Sequence, residues 1–224
     1  SPARKLTADQ KQLISLGRGL VREDVAGVLM DEPLTVIDPD LKFRLRRSLK
    51  EINEQYKTTL VYVTHDQNEA MTFADNIIVM DQGEIVQVGL PKELFERPKT
   101  TFVGYFIGSP AMNLFETEIV SSNEVNIGSI KIKTNTDLSK VKNKNVKLGI
   151  RSEFIDIADN QSNNTVNVKI NRIEDFGNYK LITAKMGKFT IKSKVNRETE
   201  VPTQNVKLHI PAEKCCVYEN NKLI

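Results

Sequence analysis

The chain has 224 residues, with 32 Lys and Arg against 29 Asp and Glu, a formal net charge of +3, and 39% hydrophobic content. So small a surplus over so many charges argues against nucleic acid as a partner, and no apolar run reaches the roughly 20 residues that a spanning helix needs. The start, Ser1 to Gln12, is polar rather than secretory in pattern, and the adjacent Cys215 and Cys216 suit neither a disulfide framework nor a zinc site, which points to a reducing, cytosolic setting.

The first elements alternate between helix and strand. Leu13, Leu16, Leu20 and Val21 stand near helical spacing over Gln10 to Arg22. Val25 to Met30 is a short apolar run that predicts a buried strand. Pro39 and Asp40 open a strong helix, with Leu41, Leu45, Leu49, Ile52 and Tyr56 every three or four positions. The β-branched run Thr58 to Thr64 predicts a strand. A short helix over Gln67 to Ala74 and a strand over Ile77 to Met80 follow. Asp81-Gln82-Gly83-Glu84 then reads as a hairpin turn into Ile85 to Val88. Pro91 to Glu96 and Thr101 to Ile107 predict two further helices. Tyr62, Phe43 and Phe73 read as core. Such alternation predicts an α/β fold with a partly parallel sheet.

Composition changes near Gly108-Ser109-Pro110. Residues 1–112 hold 3 asparagines and residues 113–224 hold 16. Asn favours turns and is poor inside helices, so the second half is predicted to be turn-rich and all-β. Eight short runs between Phe115 and Ile210 read as strands, separated by turn residues such as Gly177-Asn178 and Gly187-Lys188. That spacing predicts a small antiparallel barrel or sandwich. The predicted domains are therefore 1–112 and 113–224.

Three segments could carry chemistry. Val28-Leu29-Met30-Asp31-Glu32-Pro33 sets two carboxylates at the end of an apolar strand. Strand C-termini face the ligand crevice of an open α/β sheet. There an Asp can hold Mg²⁺, and a Glu can orient or deprotonate water. Taken alone, the same residues would equally well end a strand and begin a turn. Val63-Thr64-His65-Asp66 also ends a strand, and His65 could contact a phosphoryl group. Alone, a histidine beside a helix cap is the commoner reading. Leu6-Thr7-Ala8-Asp9-Gln10 precedes the first helix, whose N-terminus could face an anion or simply be capped by Thr7 or Asp9.

The order of these segments is more specific than any one of them. Leu-Thr-Ala-Asp-Gln, a helix bearing Arg18, Leu-Met-Asp-Glu-Pro-Leu, Ile37-Asp38, Tyr-Val-Thr-His-Asp and Gln-Gly-Glu-Ile-Val-Gln-Val-Gly follow one another at tight spacing. This resembles the C-terminal half of an ABC transporter ATPase subunit, a partial P-loop NTPase. Phe106 to Asn113 and Leu148 to Glu153 resemble the carbohydrate and glycerol-3-phosphate importer branch, in which an OB-like (TOBE/MOP-like) domain follows. The resemblance implies that Asp31 is the Walker B aspartate supporting Mg²⁺ and Glu32 the catalytic glutamate. It implies that His65 is the switch histidine and Asp38 the D-loop residue. Leu6, Thr7, Ala8, Asp9 and Gln10 stand where the signature loop lies. It further implies ATP as cofactor and a homodimer with a second ATPase subunit. The partners implied are inner-membrane permease subunits, and the place is the cytoplasmic face of the membrane.

Two departures shape the expectation. No G-x-x-x-x-G-K-[ST] phosphate loop occurs, so the chain is expected to be a truncated subunit that neither binds ATP tightly nor hydrolyses it alone. The missing strands would leave an apolar sheet edge needing cover. The signature glycines are replaced by Ala8 and Asp9. A carboxylate about 4 Å from a phosphate charge costs on the order of 4 kcal/mol at an effective dielectric of 20. The alternative expectation is a non-catalytic relic or a regulatory, dimerising module.

Overall fold

The computed structural model describes residues 5–21, 25–158 and 164–224. The chain divides at Asp75 into two units.

The first unit is built from α1 (Ala8–Leu20), β1 (Gly27–Asp31), α2 (Pro39–Tyr56), β2 (Thr59–Val63) and α3 (Gln67–Phe73). β1 and β2 pair in parallel, Gly27 opposite Thr59 and Asp31 opposite Val63. A parallel pair needs a long crossover, and α2 supplies it. Pro39 begins α2 because its missing N–H is not needed there. Leu49 carries its buried face. The expectation of a buried first strand holds only in part. Met30 is 6% exposed, whereas Leu29 is 80% exposed. Strand side chains alternate, and the face holding Leu29, Val61 and Val63 is open. Phe43, read as core, is exposed as well.

The second unit begins with a hairpin of β3 (Ile77–Asp81) and β4 (Glu84–Gly89). Its turn residues Gln82 and Gly83 both take positive φ, as a tight primed turn requires. α4 (Pro91–Glu96) and α5 (Thr101–Phe106) follow. Then come β5 (Asn113–Ser121), β6 (Glu124–Ile127), β7 (Ile130–Lys133), β8 (Asn145–Ile150), β9 (Asp156–Ile157) and β10 (Thr165–Asp175). The chain continues through β11 (Tyr179–Met186), β12 (Phe189–Asn196), β13 (Asn205–His209), β14 (Cys216–Glu219) and β15 (Lys222–Leu223). They form a sheet of order β15-β14-β8-β5-β6-β7 and another of order β12-β11-β10-β13-β9. Phe115, Leu148 and Ile150 of one sheet share a single apolar core with Val168, Ile182 and Leu208 of the other. Cys215 belongs to that core, while Cys216 packs in a separate small cluster with Met112 and Tyr218.

Residues 91–112 are bound tightly to these strands. Arg151 is fully buried. Its Nε donates to Phe95 O at 2.9 Å, and its Nη1 donates to Gly104 O at 2.8 Å and to Ile107 O. These carbonyls close α4 and α5, where helix geometry leaves acceptors unpaired. Tyr218 adds a bond from its hydroxyl to Pro98 O at 3.1 Å. Gly108 and Gly149 lie in the motifs that resembled the importer branch. A Cβ on Gly149 would stand 2.7 Å from Met112 Sδ and 2.8 Å from Tyr218 Cε2. Those two motifs, about 40 residues apart in sequence, thus form one packed structure.

Candidate functional site

β1 and β2 end side by side, and this brings two of the anticipated residues together. Glu32 follows β1 directly and its N–H donates to Val63 O at 2.9 Å, extending the ladder by one step. His65 follows β2 by two residues. Its Nδ1 lies 2.5 Å from Glu32 Oε1, and its backbone N–H donates to the same oxygen at 3.1 Å. Thr35 Oγ1 donates to the other carboxylate oxygen, Oε2, at 2.8 Å. Glu32 itself has φ of 47°. A non-glycine residue there is strained, and such strain gathers at functional positions.

The electrostatics follow from that contact. The hydrogen bond from His65, then that from Thr35, holds the Glu32 carboxyl below its ordinary value. Reciprocally, the hydrogen bond and charge of Glu32 raise His65. His65 is 75% exposed and Glu32 35% exposed, so solvent reaches both groups.

The other anticipated residues stand apart from this pair. Asp31 ends β1 as an exposed carboxylate. Asp38 caps α2, its Oδ1 accepting from Asp40 N at 3.0 Å. Thr7 caps α1, and Thr7 and Gln10 bond each other reciprocally at 3.3 and 3.1 Å. Asp9 sits in that first turn, where its charge suits the helix dipole. Leu6 and Ala8 flank the cap. α1 is tied to the loop after β1 by Gln12 Nε2, which donates to Pro33 O at 2.8 Å.

Sequence reasoning missed Glu69. It is only 4% exposed and accepts from Tyr62 Oη at 2.8 Å and Thr64 Oγ1 at 3.1 Å. Arg46 and Lys42 stand 3.5 and 3.8 Å from its other oxygen. The only signal was a Glu three residues after Asp66, a pattern that also fits an ordinary cap.

Magnesium takes few protein carboxylates and otherwise keeps water and phosphate oxygens. Asp31 suits such loose ligation, and no group of three or more His, Cys, Asp or Glu able to hold a metal occurs among the described residues. Nucleotide phosphates need a cradle of backbone N–H groups and a lysine. The 224 residues contain no such loop. The residues present therefore fit Mg²⁺ brought by a nucleotide, but do not alone fit the nucleotide.

Residues 108–155 match the family described as the MalK OB fold domain. The oligosaccharides import ATP-binding protein MsmX of Bacillus subtilis is 39% identical over 182 residues, 77% of this chain and 49% of that protein. The trehalose/maltose import ATP-binding protein MalK of Thermococcus litoralis is 35% identical over 211 residues, 88% of this chain and 56% of that protein. A glycerol-3-phosphate import ATP-binding protein of Rhizobium etli is 49% identical over 115 residues, 51% of this chain and 33% of that protein. The chain is homologous to proteins named as import ATP-binding proteins for sugars and glycerol-3-phosphate. It spans about half the length of the first of these relatives, with 49% of MsmX covered. In this chain the β-rich second unit carries the matched OB-fold segment. No helix among the described residues is long and apolar enough to cross a membrane.

Proposed function

We propose that the chain is the C-terminal portion of an ATP-binding subunit of a sugar or glycerol-3-phosphate importer. Residues 1–112 would belong to its α/β nucleotide-binding domain and 113–224 to its regulatory β domain. The observation that carries this is the contact of Glu32 with His65 at the ends of adjacent parallel strands.

The residue roles follow from chemistry and placement. Bound Mg·ATP would supply the phosphoryl group that water attacks. Glu32, with a lowered carboxyl, is ionised at neutral pH and can take a proton from water once His65 releases it. His65 is the group that a γ-phosphate would draw away. Asp31 would support Mg²⁺. Leu6 to Gln10 and Asp38 would face a second subunit in a homodimer. The permease partners and the cytoplasmic face of the membrane follow from the same family assignment. Without a phosphate loop, the 224 residues alone bind ATP weakly and turn over none.

Asp9 in place of a signature glycine favours a second reading, a non-catalytic regulatory or dimerising module. The Thr7–Gln10 capping box also spends that loop's polar groups on its own turn.

One experiment separates the two. The upstream half of the Bacillus subtilis relative is fused to this chain, and ATP binding and hydrolysis are measured. Hydrolysis by the fusion, absent in the chain alone and lost in Glu32→Gln, supports the catalytic role. A folded fusion that binds ATP and stays idle leaves only the regulatory one.

A further inference from the structure

Glu69 is a buried carboxylate that the proposed chemistry does not use. Burying such a charge is costly unless it is paired and hydrogen-bonded. Its partners come from three elements: Lys42 and Arg46 on α2, Tyr62 at the end of β2, and Thr64 just past it. Glu69 itself lies in α3.

The arrangement closes on both neighbours of His65. Thr64 Oγ1 donates to Glu69 Oε2 and accepts from Asp66 N at 3.0 Å. Asp66 Oδ1 in turn caps α3, accepting from Asn68 N at 2.8 Å and Glu69 N at 3.3 Å. The hydroxyl of Thr64 therefore ties the residue before the histidine to the residue after it and to Glu69. His65 itself is largely exposed, and its own described bonds run to Glu32. With three quarters of the side chain exposed, packing does little to fix the ring's place, and the flanking residues contribute to it.

We infer that Glu69 is a positioning residue: through Thr64 and Asp66 it holds His65 where backbone and imidazole both meet Glu32. The value of that placement for catalysis rests on the function proposed above, but the placement itself does not.

Amide hydrogen exchange on the full 224-residue chain tests it without reading ATP turnover. The His65 N–H is bonded to Glu32 Oε1 and the Glu32 N–H to Val63 O, so the two amides report the loop and the ladder separately. Glu69→Gln keeps the side chain's shape and removes its charge. Thr64→Val removes the linking hydroxyl and leaves the charge. In both variants the His65 amide is expected to exchange roughly tenfold faster, the effect of losing about one hydrogen bond. The Glu32 amide keeps its rate. Unchanged exchange at His65 overturns the inference. So does uniform acceleration across β1, β2 and α3, which would make Glu69 a holder of the fold alone. Acceleration in Glu69→Gln without any in Thr64→Val also overturns it, because charge rather than the hydroxyl link would be acting. If Glu69→Gln does not fold, Thr64→Val decides by itself. An importer assay that failed would leave these outcomes as they stand.

Discussion

Arg151 Nε donates to Phe95 O at 2.9 Å across 56 positions of sequence. A guanidinium offers five N–H donors in a rigid fork. Here that fork serves the ends of two helices, and the ring of Phe95 lies 4.7 Å beneath its central carbon. Burial lowers the Arg151 pKa, yet an arginine keeps its charge at any working pH. Replacing it with Met removes the donor from Phe95 O and Ile107 O, while Gly104 O keeps the Met112 N–H at 3.2 Å. A loss on the order of 3–5 kcal/mol is expected in urea unfolding followed by circular dichroism. Lys, with a single ammonium, should recover only part. An unchanged midpoint in Arg151→Met would show that the helices are held by other contacts.

The Glu32–His65 pair makes a signed prediction about pH. His65 is raised above its ordinary 6.5, so its contribution is complete below that value and fades as pH rises through the folded one. Glu32 is lowered from 4.5, so its contribution is complete above that value and fades as pH falls through the folded one. The pair therefore stabilises most between the two ordinary values. Proton NMR should place the His65 midpoint above 6.5, with return toward it in Glu32→Gln. A wild-type midpoint at 6.5 would mean the contact does not persist in solution.

Asp9 sets two effects against each other. In the first turn of α1 it favours the helix, and glycine there would cost about 1 kcal/mol. Beside a phosphate it repels by on the order of 4 kcal/mol per unit charge. Asp9→Gly in the fusion with the upstream half of the Bacillus subtilis relative should therefore melt slightly earlier and turn over ATP faster. Equal turnover would remove Asp9 as the cause of any impairment.

Gly149 has no room for a methyl group. Met112 could yield, but Tyr218 is fully buried and tied to Pro98. Gly149→Ala is expected to cost about 1–3 kcal/mol by overpacking. A melting temperature equal to wild type would show that β8 can shift at that point.

Two strand faces are bare. Leu29, Val61 and Val63 lie open on the first unit, and Ile78, Met80, Ile85 and Val88 on the β3–β4 hairpin. Apolar faces of this kind promote association. Light scattering should show mass rising with concentration, and less so in Leu29→Lys with Val61→Lys. A monomer at every concentration would count against such association.

Much of the architecture was legible because periodicity is local. The α2 stripe, the β-branched β2 and the Gln82-Gly83 turn each announce themselves within a few residues. Glu32 and His65 were legible through motif order, and their meeting follows from the parallel β1–β2 register. Short strands were harder. β14 and β15 are four and two residues long, and their Asn220-Asn221 turn, with φ of 49° and 64°, was the overlooked signal. The buried roles of Arg151 and Glu69 were not legible for another reason. A charged residue reads as surface until the long-range partners that bury it are known.

Cys215 and Cys216 are neighbours that pack into separate apolar clusters, and they are the chain's only cysteines. Burial pushes the Cys215 thiol up to about 12 and raises Cys216 as well. Neither sulfur is a reactive thiolate while the strands are closed. A thiol-labelling reagent therefore keeps time on the second unit, reacting only as often as that unit opens. The first unit carries no thiol and can come apart unseen, so one protein offers a clock for about two thirds of itself and silence for the rest.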